Sequence, residues 1–216
     1  MLLARTDRGD TIIEVLFAIT VFSLVAVGGL SLMNQGTGIA QRALEIGLVR
    51  QQIDAQTDAL RYLNSAYIEG FQKDPTTGGV KTTTSTTVWD AVVTNHREAQ
   101  SQDFDGVALA DGCHMPGSTY HPFAIDITKL DDALNPDTSQ AALSSLVLVP
   151  ATKNTLTYAK VANNPLPEAE GIWIEAVQAT ANSGFYDFHV TACWTSPGQE
   201  VPVKLGTIVR LYVPQA

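Results

Sequence analysis

An uninterrupted apolar stretch dominates the first part of the chain. Nineteen uncharged, mostly apolar residues occupy positions 15–33. About 20 such residues are needed for a helix to cross a bilayer, so the stretch predicts a transmembrane helix. A secretory signal peptide fits poorly, because the run is too long and no small-residue cleavage site follows it. Glu14 stands at the start of the run, where insertion scales put the cost of a charge at up to roughly 2.5–3.5 kcal/mol.

The apolar pattern then becomes amphipathic over residues 34–68. Apolar side chains recur every seven residues on one helical face, at Ile39, Ile46, Ile53, Leu60 and Tyr67. No proline interrupts residues 11–67. We therefore predict one helix over residues 11–68, about 85 Å long at ~1.5 Å per residue, which Gly70 and the sequence Lys73-Asp74-Pro75 bring to an end. The second half of this helix should pack mainly against a sheet, with a seam between subunits as the alternative.

The end of the chain carries the clearest strand pattern. Residues 171–177, 185–194 and 201–213 are strand-like and are separated by Asn182-Ser183-Gly184 and Ser196-Pro197-Gly198, which are typical turn sequences. Alternation along the middle segment places one set of side chains on a single face: Tyr186, Phe188, Val190, Ala192 and Trp194. The pattern predicts a three-stranded antiparallel meander that packs on the long helix.

The rest of residues 69–216 is interpreted as a β-rich head with long loops. The Thr-rich residues 82–87 favour an extended segment. Residues 144–149 and 155–161 suggest short strands, and the Gly-, Asp- and Pro-rich residues 104–122 suggest a surface loop. The predicted fold class is therefore α+β, with a long N-terminal helix and a C-terminal antiparallel sheet.

Length and charge restrict the function classes. A chain of 216 residues with 45% apolar content has room for one anchor helix and a single globular domain. Its net charge is −9. Non-specific nucleic-acid binding depends on Lys and Arg neutralising phosphates, so we expect no direct contact between this acidic chain and nucleic acid.

The residues ahead of the apolar stretch match a known signal. Arg8-Gly9, followed by Asp10-Thr11-Ile12-Ile13-Glu14-Val15-Leu16, resembles the class III signal of type IV pilins and pseudopilins, and looks most like pilins of the Saccharibacteria. The resemblance implies that a prepilin peptidase removes the leader, residues 1–9, by cutting after Gly9. It further implies that Asp10 becomes the N-methylated first residue, and that Glu14 pairs with the free amine of a neighbouring subunit during assembly.

Two residues depart from the usual pattern of that family. Asp10 stands where most members begin with Phe or another apolar residue, and Ser31 stands where many major pilins have a proline. Four glycines lie nearby instead, at Gly28, Gly29, Gly36 and Gly38. Each glycine weakens a helix by roughly 0.5–1 kcal/mol relative to Ala. They either let the helix melt locally in a fibre or allow another helix to approach closely.

The resemblance also implies a domain plan and a function. Residues 10–33 would form the transmembrane and filament-core helix, residues 34–68 its amphipathic continuation, and residues 69–216 the head. The protein would be a major or minor subunit of a type IV pilus (fimbrium) with roles in adhesion or twitching motility. The alternatives are a pseudopilin of a secretion or DNA-uptake system and a membrane-anchored adhesin or binding module.

The partners and the location follow from the same resemblance. The precursor would lie in the cell membrane as a single-pass protein with a cytoplasmic N-terminus, in contact with lipid, the prepilin peptidase and an inner-membrane assembly platform. After assembly, its partners would be identical or related pilins in an extracellular helical filament.

Only two cysteines occur, Cys113 and Cys193. Outside the cell membrane, such a pair is more often a disulfide than two free thiols. The pilin resemblance agrees, because many members tie a C-terminal loop to the sheet in this way. The alternative is a buried Cys193 and an incidental Cys113.

Residues for catalysis or metal binding are sparse. Cys113-His114 with His121 lacks the second close pair that a zinc site needs. The oxygen-bearing residues Asp131, Asp132, Asn135 and Asp137 lack the ligand spacing of an EF-hand, and a solvated loop or helix cap is the preferred interpretation of them. No nucleophile elbow, P-loop or dinucleotide fingerprint is present. We therefore predict a protein that is not an enzyme and that needs no cofactor or metal.

Overall fold

The computed structural model divides the chain into two compact units, Met1–Ala43 and Leu44–Ala216. It describes residues 12–71, 76, 84–95, 97–98, 113, 122–130, 148–152, 158–163, 167–178 and 184–214. Within these ranges the fold is α+β, with a long N-terminal apolar helix and a C-terminal antiparallel sheet, as predicted.

The long helix, α1, spans Ile12–Gly70, so its predicted C-terminal end is confirmed to within two residues. The seven-residue stripe contributes to the core only in its C-terminal part: Ile53, Leu60 and Tyr67 are buried, and Ile46 packs against them. Ile39, which belongs to the first unit, is 72% exposed. The apolar pattern therefore extends beyond the part of α1 that joins the core.

The described strands form one eight-stranded mixed sheet. Seven strands lie in the order β4-β5-β3-β2-β6-β7-β8, and β1 pairs with β6 outside this order. Most pairs are antiparallel, but β1–β6 and β3–β5 are parallel. The strands span Arg97–Glu98 (β1), Phe123–Ile125 (β2), Leu148–Thr152 (β3), Lys160–Asn163 (β4), Pro167–Glu170 (β5), Ile172–Val177 (β6), Phe185–Trp194 (β7) and Val203–Tyr212 (β8).

The C-terminal meander has the predicted topology. Strands β6, β7 and β8 pair consecutively in antiparallel register. Gly184 and Gly198 adopt φ values of 69° and 74° beside the two connections, a backbone region that glycine enters at little cost. The predicted inner face of β7 is buried in the core with α1, and its members are Tyr186, Phe188, Val190, Ala192 and Trp194.

The prediction of an extended segment at residues 82–87 is wrong for its described part. A second helix, α2, spans Thr84–Asn95. Val88, Trp89 and Val92 are buried on one side of it, and the Trp89 ring lies 5.7 Å from those of both Tyr67 and Phe188. Burial of these side chains outweighs the weak helix propensity of threonine, which amounts to less than ~0.7 kcal/mol per residue.

The shorter strands are displaced from the predicted positions. The segment predicted at 144–149 corresponds to β3, which includes Pro150, and the segment at 155–161 corresponds to β4. Residues 144–147 and 155–157 lie outside the described ranges, as does the predicted loop 104–122 apart from Cys113 and Pro122.

A buried glutamine of α1 completes the hydrogen bonding of β2. Gln56 Nε2 donates to the carbonyl oxygen of Ile125 at 2.8 Å, and the Ile125 N–H donates to Gln56 Oε1 at 2.7 Å. Ile125 pairs with Leu148 of β3 on one side, whereas the pairing of β2 with β6 in the described residues is limited to Phe123. The amide of Gln56 therefore takes the place of a strand partner at Ile125 on the β6 side. Both residues are fully buried.

Substituting Gln56 by Leu should destabilise the head by about 2–4 kcal/mol, because it leaves two buried backbone groups without partners at ~1–3 kcal/mol each. Denaturant unfolding followed by tryptophan fluorescence measures this, since Trp89, Trp173 and Trp194 are all buried in the second unit. The matched control, Gln51→Leu, changes an exposed residue of the same helix. Equal stabilities of the two variants would contradict the proposed role of Gln56.

Candidate assembly site

The candidate assembly site begins at the N-terminal end of α1. Glu14 lies in the first helical turn, where a carboxylate interacts favourably with the helix dipole. Among the residues that the structure describes, it makes no hydrogen bond or ion pair with another side chain. The predicted junction, Gly9 and Asp10, lies outside the described ranges, so cleavage and methylation there stay predictions.

The segment that follows Glu14 is exposed along its whole length. By length and composition, α1 could cross a membrane. The most apolar 18-residue part of the helix has no buried residue. Burying apolar area is worth roughly 25 cal/mol per Å², and exposed apolar patches of this extent mark contact surfaces. The segment therefore needs a cover of lipid or of other apolar helices. Its large exposed side chains are Ile12, Ile13, Val15, Leu16, Phe17, Ile19, Val21, Phe22, Leu24, Val25, Val27, Leu30, Leu32 and Met33.

Two hydroxyl groups within this segment are satisfied by the helix itself. Thr20 Oγ1 donates to the carbonyl oxygen of Phe17, and Ser23 Oγ donates to that of Ile19, both at 2.8 Å. Such internal bonds allow polar side chains to enter an apolar environment without an external partner. Glu14 is the first charged residue of α1, and the next is Arg42. Its carboxylate is thus the one charged side chain of α1 before Arg42, and a charge in an apolar environment requires a charged or hydrogen-bonding partner.

The glycines of this segment do not pack against any other described part of the chain. Among the described residues, a Cβ atom added at Gly28, Gly29, Gly36 or Gly38 would meet nothing within 4 Å. Both interpretations of these residues, local melting and close approach of another helix, therefore concern an assembled state.

The two cysteines form the predicted disulfide. The bond joins Cys113 to Cys193 of β7, with their Cα atoms 5.5 Å apart. We call the face of β6, β7 and β8 opposite α1 the outer face of the meander. The disulfide lies on this face, because Cys193 precedes the inward-facing Trp194 and successive side chains of a strand point to opposite faces. A sulfur in a disulfide is not a thiolate ligand, which removes Cys113 from the zinc candidates. His114, His121 and residues 131–137 lie outside the described ranges.

Polar contacts fix the second half of α1 to the meander. Glu45 Oε2 accepts hydrogen bonds from Trp194 Nε1 at 3.0 Å and from Ser196 Oγ at 2.6 Å. Asn64 Nδ2 donates to the carbonyl oxygen of Tyr212 at 3.1 Å. The role of Glu45 was not predicted from the sequence, because Glu45 stands among other charged residues on the helix. The signal that was available is the indole N–H of a buried tryptophan, which needs an acceptor.

An ion pair occupies the outer face near the other end of β7 and β8. Arg210 donates two hydrogen bonds of 2.7 Å to Asp187, and its guanidinium lies 4.1 Å from the centroid of the Phe185 ring. The pKa of Asp187 lies below its ordinary value, chiefly because it accepts these hydrogen bonds, although burial acts in the opposite direction. The pair is partly exposed, so we assign it a modest structural role.

No protein family, curated protein or solved structure was found to match this chain. The assignment of the site therefore depends on the residues themselves: a carboxylate that has no partner among the described residues, at the start of the exposed apolar segment of α1.

Proposed function

We propose that this protein is a structural subunit of a type IV pilus or pilus-like filament. It is made as a membrane-anchored precursor, cut after Gly9 by a prepilin peptidase, and assembled through residues 10–33. The observation that supports this best is the combination at the head of α1, where an unpartnered Glu14 precedes a fully exposed apolar segment. A membrane anchor alone explains the apolar surface but gives no role to the carboxylate.

Assembly would bring Glu14 to the new amine of Asp10 on a neighbouring subunit. The apolar surfaces of adjacent helices supply most of the free energy of association, because each buried methylene group is worth about 0.8 kcal/mol. The charge pair mainly selects register, since the desolvation of two buried charges largely offsets their attraction. This division of roles explains why a single expensive carboxylate stands at the start of the helix.

A membrane-anchored binding module is the second candidate. The residues from Leu44 onward form a compact unit with its own core, which could serve as a tethered recognition domain. In that case the helix only anchors the protein, and Glu14 has no specific partner.

Blocking the predicted cut separates these two functions. Gly9→Val should prevent processing and abolish incorporation into filaments, while a tethered binding module would keep its adhesion. Peptide mapping of purified filaments should find Asp10, carrying a methyl group, as the N-terminal residue of the unmodified protein. Leu3→Val, which changes the leader but leaves the Gly9–Asp10 bond intact, is the matched control. Filaments that contain uncut Gly9→Val subunits would contradict the proposed assembly route.

A further inference from the structure

Strand β8 forms one edge of the described sheet. It pairs with β7 on one side, and no described strand lies on its other side. The N–H of Val213 donates to the carbonyl oxygen of Gly184 in continuation of the β7–β8 register. Every second residue of β8, counted back from Val213, therefore bonds to β7 through its main chain. The residues between them direct both main-chain groups away from β7, and they are Lys204, Gly206, Ile208, Arg210 and Tyr212.

A side chain of α1 closes one end of this edge. Asn64 Nδ2 donates to the carbonyl oxygen of Tyr212 at 3.1 Å, in agreement with main-chain groups that face away from β7. In the described part of the chain, no such contact reaches the main chain of Gly206, Ile208 or Arg210. The open part of the edge therefore ends before Tyr212.

The main chain at this edge is accessible to another molecule. Gly206 is exposed, and because a glycine has no side chain, its exposed surface is that of the main chain. Ile208 is 51% exposed. A cavity of about 480 Å³ is lined by the consecutive residues 204–208 together with Thr191. Successive side chains of a strand point to opposite faces, so a cavity that touches every residue of this run follows the edge of β8.

The chemistry of an open edge specifies what can cover it. Its N–H and C=O groups alternate along an extended line that rises ~3.4 Å per residue. Another extended polypeptide presents complementary groups at the same spacing and can add to the sheet as a strand. Natural edges are often protected by proline, by bulges or by very short strands. Strand β8 has ten residues, no proline and an unbroken register, so its main chain is suited to receive a further strand.

The side chains of β8 indicate the sequence of such a strand. Leu205 and Val209 belong to the inner row, which packs on the core, so apolar residues at alternate positions of an added strand would extend this layer. Both charged residues of β8, Lys204 and Arg210, are basic and belong to the outer row. Opposite charges stabilise directly paired positions and like charges destabilise them. Acidic residues are therefore favoured in the outer row of the added strand.

We propose that the edge of β8 binds an extended segment of a partner protein as an additional strand. The segment carries apolar residues at alternate positions and acidic residues in the other row. Its main chain bonds to the outward N–H and C=O groups of Gly206, Ile208 and Arg210. The binding edge does not include the Gly9 junction or Glu14, so it stands or falls independently of filament assembly.

A second copy of β8 fits this edge less well. Glu45 contacts Trp194, which pairs with Val203 at the start of β8, and Asn64 contacts Tyr212 at its end. The second half of α1 therefore runs beside β8 in the same direction. Antiparallel pairing of two β8 strands would set these helix halves in opposite directions, whereas copies anchored side by side in one membrane would carry them in the same direction.

Titration of a peptide with the full-length protein in detergent tests the proposal. The probe is Glu-Val-Thr-Val-Tyr-Val-Glu with fluorescein at its N-terminus, and fluorescence anisotropy should show saturable binding with a Kd below about 1 mM. Methylation of the Thr and Tyr amide nitrogens removes donors that face β8 and should weaken binding about tenfold or more. Methylation of the first and last Val nitrogens, which face away from β8, is the matched control and should leave binding largely unchanged.

Ile208→Pro tests the edge from the side of the protein. The N–H of Ile208 points away from β7, so proline at this position keeps the β7–β8 hydrogen bonds and removes a donor of the open edge. The variant should bind the probe about tenfold more weakly, or not at all. Ile208→Ala, which shortens the same exposed side chain and keeps the N–H, is the matched control. Tryptophan fluorescence during unfolding shows whether each variant is folded.

Four outcomes would overturn the proposal. Three of them are a probe that does not saturate, equal binding of the two methylated peptides, and binding by folded Ile208→Pro as tight as that by Ile208→Ala. The comparison of the methylated peptides uses the unmodified protein and decides the question even where Ile208→Pro does not fold. The fourth is a concentration-dependent dimer of the unmodified protein in sedimentation that Ile208→Pro abolishes, since a second copy would then occupy the edge.

Discussion

Substitution of Glu14 by alanine should abolish or sharply reduce incorporation into filaments while leaving membrane insertion intact. Removing the charge makes insertion more favourable, by up to roughly 2.5–3.5 kcal/mol on the scale for central positions. It also removes the partner of the neighbouring amine, which then becomes an uncompensated charge in an apolar surrounding. Breaking a buried pair in this way typically costs about 3–5 kcal/mol. Such a loss would reduce incorporation by a factor of 100 or more, at ~1.4 kcal/mol per factor of ten.

Two further variants make this experiment specific. Glu14→Gln keeps the size of the side chain without its charge, and it should assemble poorly for the same reason. Glu69→Ala removes an exposed carboxylate at the other end of α1 and should assemble normally. Membrane fractionation and quantification of sheared filaments provide the two measurements. A normal filament yield from Glu14→Ala would refute the assembly role of this residue.

Loss of the disulfide should produce the second large effect. The bond closes a loop of 80 residues, for which the chain-entropy model gives a stabilisation of roughly 4 kcal/mol. Because the bond lies on the sheet of the second unit, we expect the variant with serine at both Cys113 and Cys193 to unfold at lower temperature, by about 10 °C for a domain of this size. The fluorescence of the three buried tryptophans reports this transition.

Chemical reduction provides a matched comparison for the disulfide. Dithiothreitol should lower the midpoint of the unmodified protein to that of the double serine variant, and it should have no effect on the variant itself. Alkylation without reductant should modify neither cysteine of the folded, unmodified protein. Equal midpoints for the oxidised protein and the double serine variant would show that the bond contributes nothing to stability.

The parts of the fold that were predictable from the sequence are those with local patterns. The absence of proline and the seven-residue spacing identified α1 to within two residues of its C-terminal end. Alternating apolar residues and glycine-containing turns identified β7 and its two neighbours. Within this meander, β6 begins at Ile172, one residue later than predicted. The reason is that Gly171, with a φ of 61°, separates β6 from β5.

Contacts between distant segments could not be predicted in this way. The parallel pairing of β1 with β6 joins residues that are far apart in the chain, and two-residue strands carry no periodic signal. Gln56 is a single polar residue in a helix, and nothing in the sequence shows that its amide completes β2. At the assembly site the reverse holds, since the motif around Gly9 and Glu14 is entirely local.

The separation of the two cysteines along the chain has a consequence for biosynthesis. Ribosomes add about 5–20 residues per second, so Cys113 is made roughly 4–16 s before Cys193, its partner 80 residues later. During this interval Cys113 is a free thiol, and the chain contains no third cysteine with which it could pair. Any incorrect disulfide made during synthesis must therefore link two different molecules, and it would be visible as a reducible species of higher mass in a pulse-labelled sample.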